Sequence, residues 1–188
     1  GAGAAGTAVA DLFNRAGVQD VVLCDRAGAI YRGRKEHMNP EKIALAERTN
    51  KGNVRGTLAE AMAGRNLFVG VSRPDVVSKE MVASMARGPI VLALANPVSE
   101  ISRQDALAAG AAVYADGRTI NNALAYPGIF RGALDAAAES ITIEMMLAAA
   151  DALAGIVPEG ELMPEMMDPA THRAVAEAVG AAAEEGRA

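Results

Sequence analysis

A single cysteine, no tryptophan, two histidines and no surplus of positive charge set the first limits on this 188-residue chain. Cys24 has no partner within the chain, so no internal disulfide forms and a bridge-stapled secreted scaffold is ruled out. A reducing compartment fits this usage, and the cytoplasm is the expected location. Aromatic residues make up only 3% of the chain, too few for a base-stacking platform. Against 23 acidic residues stand 18 scattered Lys and Arg, giving a net charge of −5 and no electrostatic footprint for a nucleic-acid backbone. No stretch approaches the roughly 20 uninterrupted apolar residues of a membrane helix, and the opening residues read as a loop, not as a signal sequence. His37 and His172 lie far apart, with no cysteine or carboxylate at metal-ligand spacing, and are expected to be solvated or structural.

What is present begins at the first residue. With 51% hydrophobic and 22% charged residues, the composition suits one globular domain of generous size. The chain opens GAGAAG, so Gly1, Gly3 and Gly6 fit the G-x-G-x-x-G loop, and a helical run over 7–15 follows. In that loop the first glycine permits a tight turn. The second lets backbone amides approach a pyrophosphate, and the third lets helix and sheet pack closely. The start of the helix, at Ala4 and Ala5, offers N–H groups to anionic oxygens. A largely apolar run over 18–24 then ends in Asp25, 19 residues beyond Gly6, where a carboxylate can accept both ribose hydroxyls of an adenosine. Loop, helix, strand and acid in this order point to dinucleotide binding. Such a loop follows a β-strand that is central in a doubly wound sheet, and here no residue precedes Gly1. The first strand is therefore expected to come from outside these residues, which read as a piece of a longer protein.

Further along, hydrophobic runs alternate with helical periods, the pattern of βαβ units and a parallel sheet. Asn39-Pro40 reads as a helix entry before a short helix over 42–48, and a second helix is expected over 57–62. Strands are expected over 66–71, 89–95 and 112–114, and helices over 75–86 and 102–109. Ile90, Val91, Leu92 and Leu94 form too continuous an apolar run for a half-exposed strand, which suits a sheet covered on both faces. Past the Asp116-Gly117 turn and Asn121-Asn122, helices dominate. Pro127-Gly128 reads as a turn and helix start, and residues 139–153 as a long apolar helix. A connector over 157–168 carries Met163, Met166 and Met167, residues that usually fill core gaps. A closing helix begins near Pro169 with Asp168 as its cap. The expected architecture is an α/β, Rossmann-like, doubly wound parallel sheet with helices on both faces and a helical C-terminal extension. Residues 1–155 form its dinucleotide-binding domain, and 156–188 form a connector and helix packed on that domain or on the missing part.

VGVSRP over 69–74, LALANPVSEI over 92–101 and NNALAYPGIFRGALDA over 121–136, in this order after GAGAAG, resemble the cofactor-binding half of bacterial-type malic enzymes. The resemblance runs from Gly1 to about Gly155, and the last motif is highly specific. It implies oxidative decarboxylation of malate to pyruvate and carbon dioxide. NAD or NADP would be the hydride acceptor, with Mg²⁺ or Mn²⁺ as Lewis acid. In the family a lysine base, a tyrosine acid and three carboxylate ligands do this work, all upstream of the glycine loop. Residue by residue, the motifs place Asn96, Asn121 and Asn122 beside the substrate or the nicotinamide ribose, and Gly70, Val71 and Ser72 along the cofactor. Asn96 also ends a strand, where open α/β sheets bind ligands, although Asn-Pro alone marks a turn. Ser72 is equally suited to cap the helix that follows. One departure stands out: Gly117-Arg118 reaches Asn121 after only Thr119 and Ile120, a shorter loop than the family's.

Asp25 favours NAD, because a carboxylate repels a 2′-phosphate at the same ribose. Arg26 follows at once, and Arg32, Arg34 and Lys35 are near, each able to pair with a phosphate. Lys35, Lys42, Lys51 and Lys79 show no sign of a catalytic setting. The expected partners are malate or pyruvate, the upstream catalytic domain that carries the metal, and a second copy in a dimer. Two other readings remain. One is an NAD(P)-binding regulatory or scaffold module without catalysis. The other is a related dehydrogenase for an amino or hydroxy acid, against which NPVSEI and the paired asparagines argue.

Overall fold

Small residues behind the glycine loop wind into α1 (Ala4–Arg15), entered from an extended Gly3 that provides no side-chain cap. Gly6 and Ala10 are its buried positions, so the helix presses its thinnest face inward. The computed structural model describes residues 1–186, so the last two positions of the expected 156–188 extension lie outside the described residues. Two compact units divide between Arg118 and Thr119.

In the first unit, the expected strand over 18–24 is a ladder only at its end. β1 (Cys24–Asp25) pairs antiparallel with β2 (Gly28–Ala29). The residues before β1 are held by loops instead: the Val21 carbonyl accepts from the Asn50 amide at 2.7 Å and the Leu23 carbonyl from the Ile30 amide at 2.8 Å. Then come α2 (Pro40–Arg48), α3 (Leu58–Met62) and β3 (Leu67–Gly70), followed by α4 (Lys79–Ala83) and β4 (Ile90–Ala93). The unit ends with α5 (Arg103–Ala108) and β5 (Val113–Asp116). Local chemistry sets the helix starts. Asn39 accepts the Lys42 amide with Pro40 in the first turn, Ser102 accepts the Asp105 amide, and Thr57 with Glu60 forms a reciprocal capping box. The helix expected over 75–86 is shorter because Asp75 sits at φ +53°, outside the helical region, and Ser78 caps the chain only afterwards.

The sheet is parallel in the order β3-β4-β5, with Gly70 beside Ala93 and Ala93 beside Asp116 at one end. This register brings the loops after Gly70, Ala93 and Asp116 to a single carboxyl edge. Val82, Val91, Ile101, Ala106 and Tyr114 form the core beneath it. A second cluster, Ala10, Leu23, Ile30, Leu45 and Ala46, packs α1 and α2 around the β1–β2 hairpin. Burial of a side chain such as Ile30 or Leu45 stabilises the fold by roughly 1.5–3 kcal/mol.

The second unit is helical. A 3-10 turn (Asn122–Leu124) leads into α6 (Tyr126–Asp135), and α7 (Ile143–Gly155) and α8 (Pro169–Glu185) complete it. α7 starts later than the expected 139 because Thr142 caps it by accepting the Met145 amide. Asp168 caps α8 through the Ala170 amide at 2.8 Å, with Pro169 in the first turn as expected. Gly128 lies buried within α6, where a Cβ would come within 2.6 Å of the Val175 Cβ. One turn on, a Cβ at Gly132 would come within 2.8 Å of the Val179 Cβ. These glycines let two helix backbones approach closely. In the connector Met163 and Met166 are half-buried and Met167 is exposed.

Candidate dinucleotide site

The glycine loop turns against the end of β3. A Cβ at Gly1 would lie 2.9 Å from the Val71 carbonyl oxygen and 3.1 Å from the Ser72 Cβ, and a Cβ at Gly6 would overlap the Gly1 carbonyl oxygen. First and third glycines are thus required by the protein's own packing. Gly3 differs: a side chain there would meet nothing within 4 Å. Its surroundings are open, on the first turn of a helix whose cap position supplies no side-chain acceptor. Ala4 and Ala5, in that first turn, are exposed. This open helix start leaves room for the close approach of an anion to backbone amides.

Gly1 and Gly6 also line a cavity of about 550 Å³ with Val22, Cys24, Leu67 and Val69. It runs between the extended residues before β1 and the edge of β3, which pairs on its other side with β4.

Asp25 ends β1 but is not a free carboxylate. Its Oδ1 accepts from the Ala27 amide at 2.8 Å and from Arg34 Nη2 at 2.9 Å; its Oδ2 accepts from Arg34 Nη2 at 3.0 Å and from Lys42 Nζ at 2.7 Å. A carboxylate has about four acceptor sites, and these contacts take them all. The side chains of Asp25, Arg34 and Lys42 are 10%, 5% and 22% exposed. Burial pushes the Asp25 carboxyl up, but the hydrogen bonds from Lys42, Arg34 and the Ala27 amide outweigh it and hold the group below its ordinary value. Arg34 is further fixed by the Glu36 carbonyl at 3.0 Å and the Ala29 carbonyl at 3.1 Å. Arg26 and Lys35 are exposed, and Arg32 pairs with Glu47 at 3.3 Å. Sequence reading gave Lys42 no role. Its only signal was a position two residues into the helix that Asn39-Pro40 opens.

A second residue that sequence reading passed over is Glu100, 0% exposed behind the carboxyl edge. Its Oε1 accepts the Ser72 amide at 2.9 Å and its Oε2 the Ala95 amide at 3.0 Å. A Cβ on Gly70 would overlap this carboxylate. The signal was faint: a lone acid inside NPVSEI, beside apolar Ile101.

Asn96 is exposed at the end of the loop after β4, against Gly117; a Cβ on Gly117 would lie 2.7 Å from Asn96 Nδ2. The Asn96-Pro97 peptide is cis. The first unit therefore brings Gly1, Gly6, Gly70, Val71, Ser72 and Asn96 to one edge of its sheet. Asn121 and Asn122 belong to the second unit. There Asn121 accepts the Ala123 amide at 3.0 Å and Asn122 is exposed in the 3-10 turn.

A glycine loop that opens a helix at the carboxyl edge of a parallel sheet defines a Rossmann-like dinucleotide-binding domain. The family model described as "Malic enzyme, NAD binding domain" matches residues 1–184. The chain is 46% identical over 195 residues to the bifunctional malic/malolactic enzyme of Bacillus subtilis, covering 98% of this chain and 48% of that protein. It is 45% identical to the NAD-dependent malic enzyme of Geobacillus stearothermophilus over 86% of this chain and 34% of the relative. The NADP-dependent malic enzyme of Rhizobium meliloti is 43% identical over 85% of this chain and 21% of its own length. The crystal structure of the NAD-dependent malic enzyme from Thermotoga maritima superposes with a TM-score of 0.90 at 38% identity, covering 96% of this chain and 50% of that one. The chain belongs to the malic enzyme family, as its NAD-binding domain. It spans about half or less of the length of these relatives.

Proposed function

We propose that this chain is the cofactor-binding part of a malic enzyme that oxidatively decarboxylates malate to pyruvate and carbon dioxide. The observation that carries this reading is the contrast within the glycine loop. Gly1 and Gly6 are demanded by contacts inside the protein, whereas Gly3, at the helix start, opens onto free space where a ligand can reach the backbone amides. The diphosphate of the dinucleotide takes the amides of Gly3, Ala4 and Ala5. The edge formed by Gly70, Val71 and Ser72 borders its length. Asn96 in the first unit, and Asn121 and Asn122 in the second, are each proposed as donors to the dicarboxylic substrate or the nicotinamide ribose. When bound, the dinucleotide supplies the hydride acceptor; these residues hold and orient the reactants.

NAD is the cofactor proposed, because Asp25 stands where the adenosine ribose is expected. For the ribose hydroxyls to reach it, Lys42, the more exposed of its two cations, must give way. Together Asp25, Arg34 and Lys42 carry one excess positive charge, which weakens the repulsion of a 2′-phosphate and keeps NADP as the alternative.

Residues 1–155 act as the dinucleotide domain and 156–188 as its helical extension in a longer protein, whose upstream part brings the lysine, the tyrosine and the metal ligands. Among the described residues, no group of three or more His, Cys, Asp or Glu could hold a metal ion, so no metal step is derived from this chain. The cavity between residues 18–24 and β3 takes a parallel strand from that upstream part. Within such an enzyme, a cytoplasmic dimer in this reading, Tyr126, Phe130 and Leu134 offer exposed apolar surface along α6.

The experiment compares the full-length gene product with this chain alone, in malate and either dinucleotide, following the reduced nicotinamide. Turnover by the full-length protein, faster with NAD, and none by this chain is the expected result. Decarboxylation by this chain alone, or a clear preference for NADP, overturns the corresponding part.

A further inference from the structure

Glu100 is a fully buried acid just behind the ends of two strands. Its carboxylate accepts from the Ser72 and Ala95 amides, with the Ser72 hydroxyl at 3.5 Å, and among the described residues no lysine, arginine or histidine side chain hydrogen-bonds to it. Its own backbone is fixed from outside the site. The Glu100 carbonyl accepts from the Val77 amide at 3.0 Å, and the neighbouring Ser99 carbonyl accepts from the Asp75 amide at 3.2 Å. Ile101 anchors the other side: it is buried in the core, and its carbonyl accepts from the Tyr114 hydroxyl at 3.0 Å. A carboxylate so placed acts as a rigid strut, and Gly70 leaves room for it, since any side chain there would overlap it.

We propose that Glu100 is a positioning residue of the cofactor edge, whose carboxylate holds the Ser72 amide after β3 and the Ala95 amide after β4 at a fixed separation. Val71 and Ser72 lie against the glycine loop, and Ala95 immediately precedes Asn96. One side chain thereby sets the spacing between the dinucleotide edge and the first substrate-facing amide. It touches neither reactant. Burial stiffens the strut chiefly at the Ala95 amide, which would be costly to leave unpaired away from water; the Ser72 bond is part-buried. This inference rests on the dinucleotide reading above.

The test uses the full-length enzyme with Glu100→Gln, Glu100→Asp and Gly70→Ala. Glutamine keeps the volume but turns an NH2 toward one of the two amides, so one tether becomes a donor facing a donor. Gly70→Ala displaces the carboxylate without altering it. KM for the dinucleotide, kcat and direct uptake of the reduced dinucleotide by fluorescence are measured, with circular dichroism reporting the fold. Expected is a rise of about tenfold in dinucleotide KM and Kd for Glu100→Gln and for Gly70→Ala, with kcat falling less. Glu100→Asp, which keeps both oxygens on a shorter stem, falls between these and the unmodified enzyme. A merely structural role predicts a smaller folded fraction with KM unchanged, and that result overturns the proposal. So does loss of fold in all three variants, which would make Glu100 a folding residue. An unmodified enzyme that takes up neither dinucleotide refutes the underlying reading, whereas normal uptake with unaltered variants refutes only the role of Glu100.

Discussion

Asp25→Asn is the most informative single change to the β1–β2 hairpin. The substitution removes the charge that two cations share and turns an NH2 toward at least one of them, while keeping the side chain's shape. Breaking a buried pair by removing one partner costs about 3–5 kcal/mol when the other charge is stranded. Here Arg34 keeps the Glu36 and Ala29 carbonyls and Lys42 keeps the His37 carbonyl at 2.9 Å, so the expected loss is smaller, about 2 kcal/mol. For a chain of this size that lowers the melting temperature by roughly 4–8 °C. The pH dependence has a definite sign. Because the folded carboxyl titrates below its ordinary value, its contribution is fully present above the unfolded value of about 3.9 and is lost as pH falls through the lowered folded value. Thermal unfolding followed by far-ultraviolet circular dichroism at a series of pH values should therefore show a constant gap near neutrality that closes in acid. A gap below about 0.5 kcal/mol at neutral pH, or one that does not narrow as pH falls below the unfolded value of about 3.9, refutes the reasoning.

Other consequences are equally direct. Gly3→Val should leave the melting temperature within a few degrees of the unmodified protein, since nothing in the fold opposes a side chain there, yet abolish dinucleotide uptake; retained uptake in a fluorescence titration contradicts the site. Burial pushes the Cys24 thiol up to about 11 from 9.0, which leaves about a hundredfold less thiolate than an ordinary cysteine. Alkylation by iodoacetamide at neutral pH should be slower by at least that factor in the native protein than in denaturant. Gly132→Leu drives a side chain into Val179 and should destabilise the helical unit by about 1–3 kcal/mol, read from chemical unfolding. Thr57→Ala removes a capping box and should cost about 1 kcal/mol in the same assay.

Which features the sequence disclosed follows from how local their causes are. The caps at Asn39, Thr57, Ser102 and Asp168 act over a few residues, so α2, α3, α5 and α8 begin close to where residue order places them. The strands over 66–71 and 89–95 are visible as apolar runs, but the coverage of both faces expected for 89–95 is not what β4 shows: Val91 and Ala93 are buried, Leu92 is half-buried and Ile90 is exposed. The 75–86 helix is shorter than its composition suggests, because the left-handed Asp75 is tied by the hydrogen bond its backbone amide donates to the Ser99 carbonyl in a distant loop. Distance also hid the two main features of the site. Asp25 reads as an acid poised for a sugar, and only folding shows that Arg34 and Lys42 occupy it. Glu100 reads as one more charge in a motif, and only the neighbouring strand ends reveal it as a strut.

The edge of β3 that faces the 550 Å³ cavity has a practical corollary. A strand that pairs on one side only is an adhesive border, ready to zip onto any extended backbone of matching polarity. Preparations of this chain by itself should accordingly cloud or swap strands between copies as concentration rises. Adding a short apolar peptide able to lie in that trough should keep them clear.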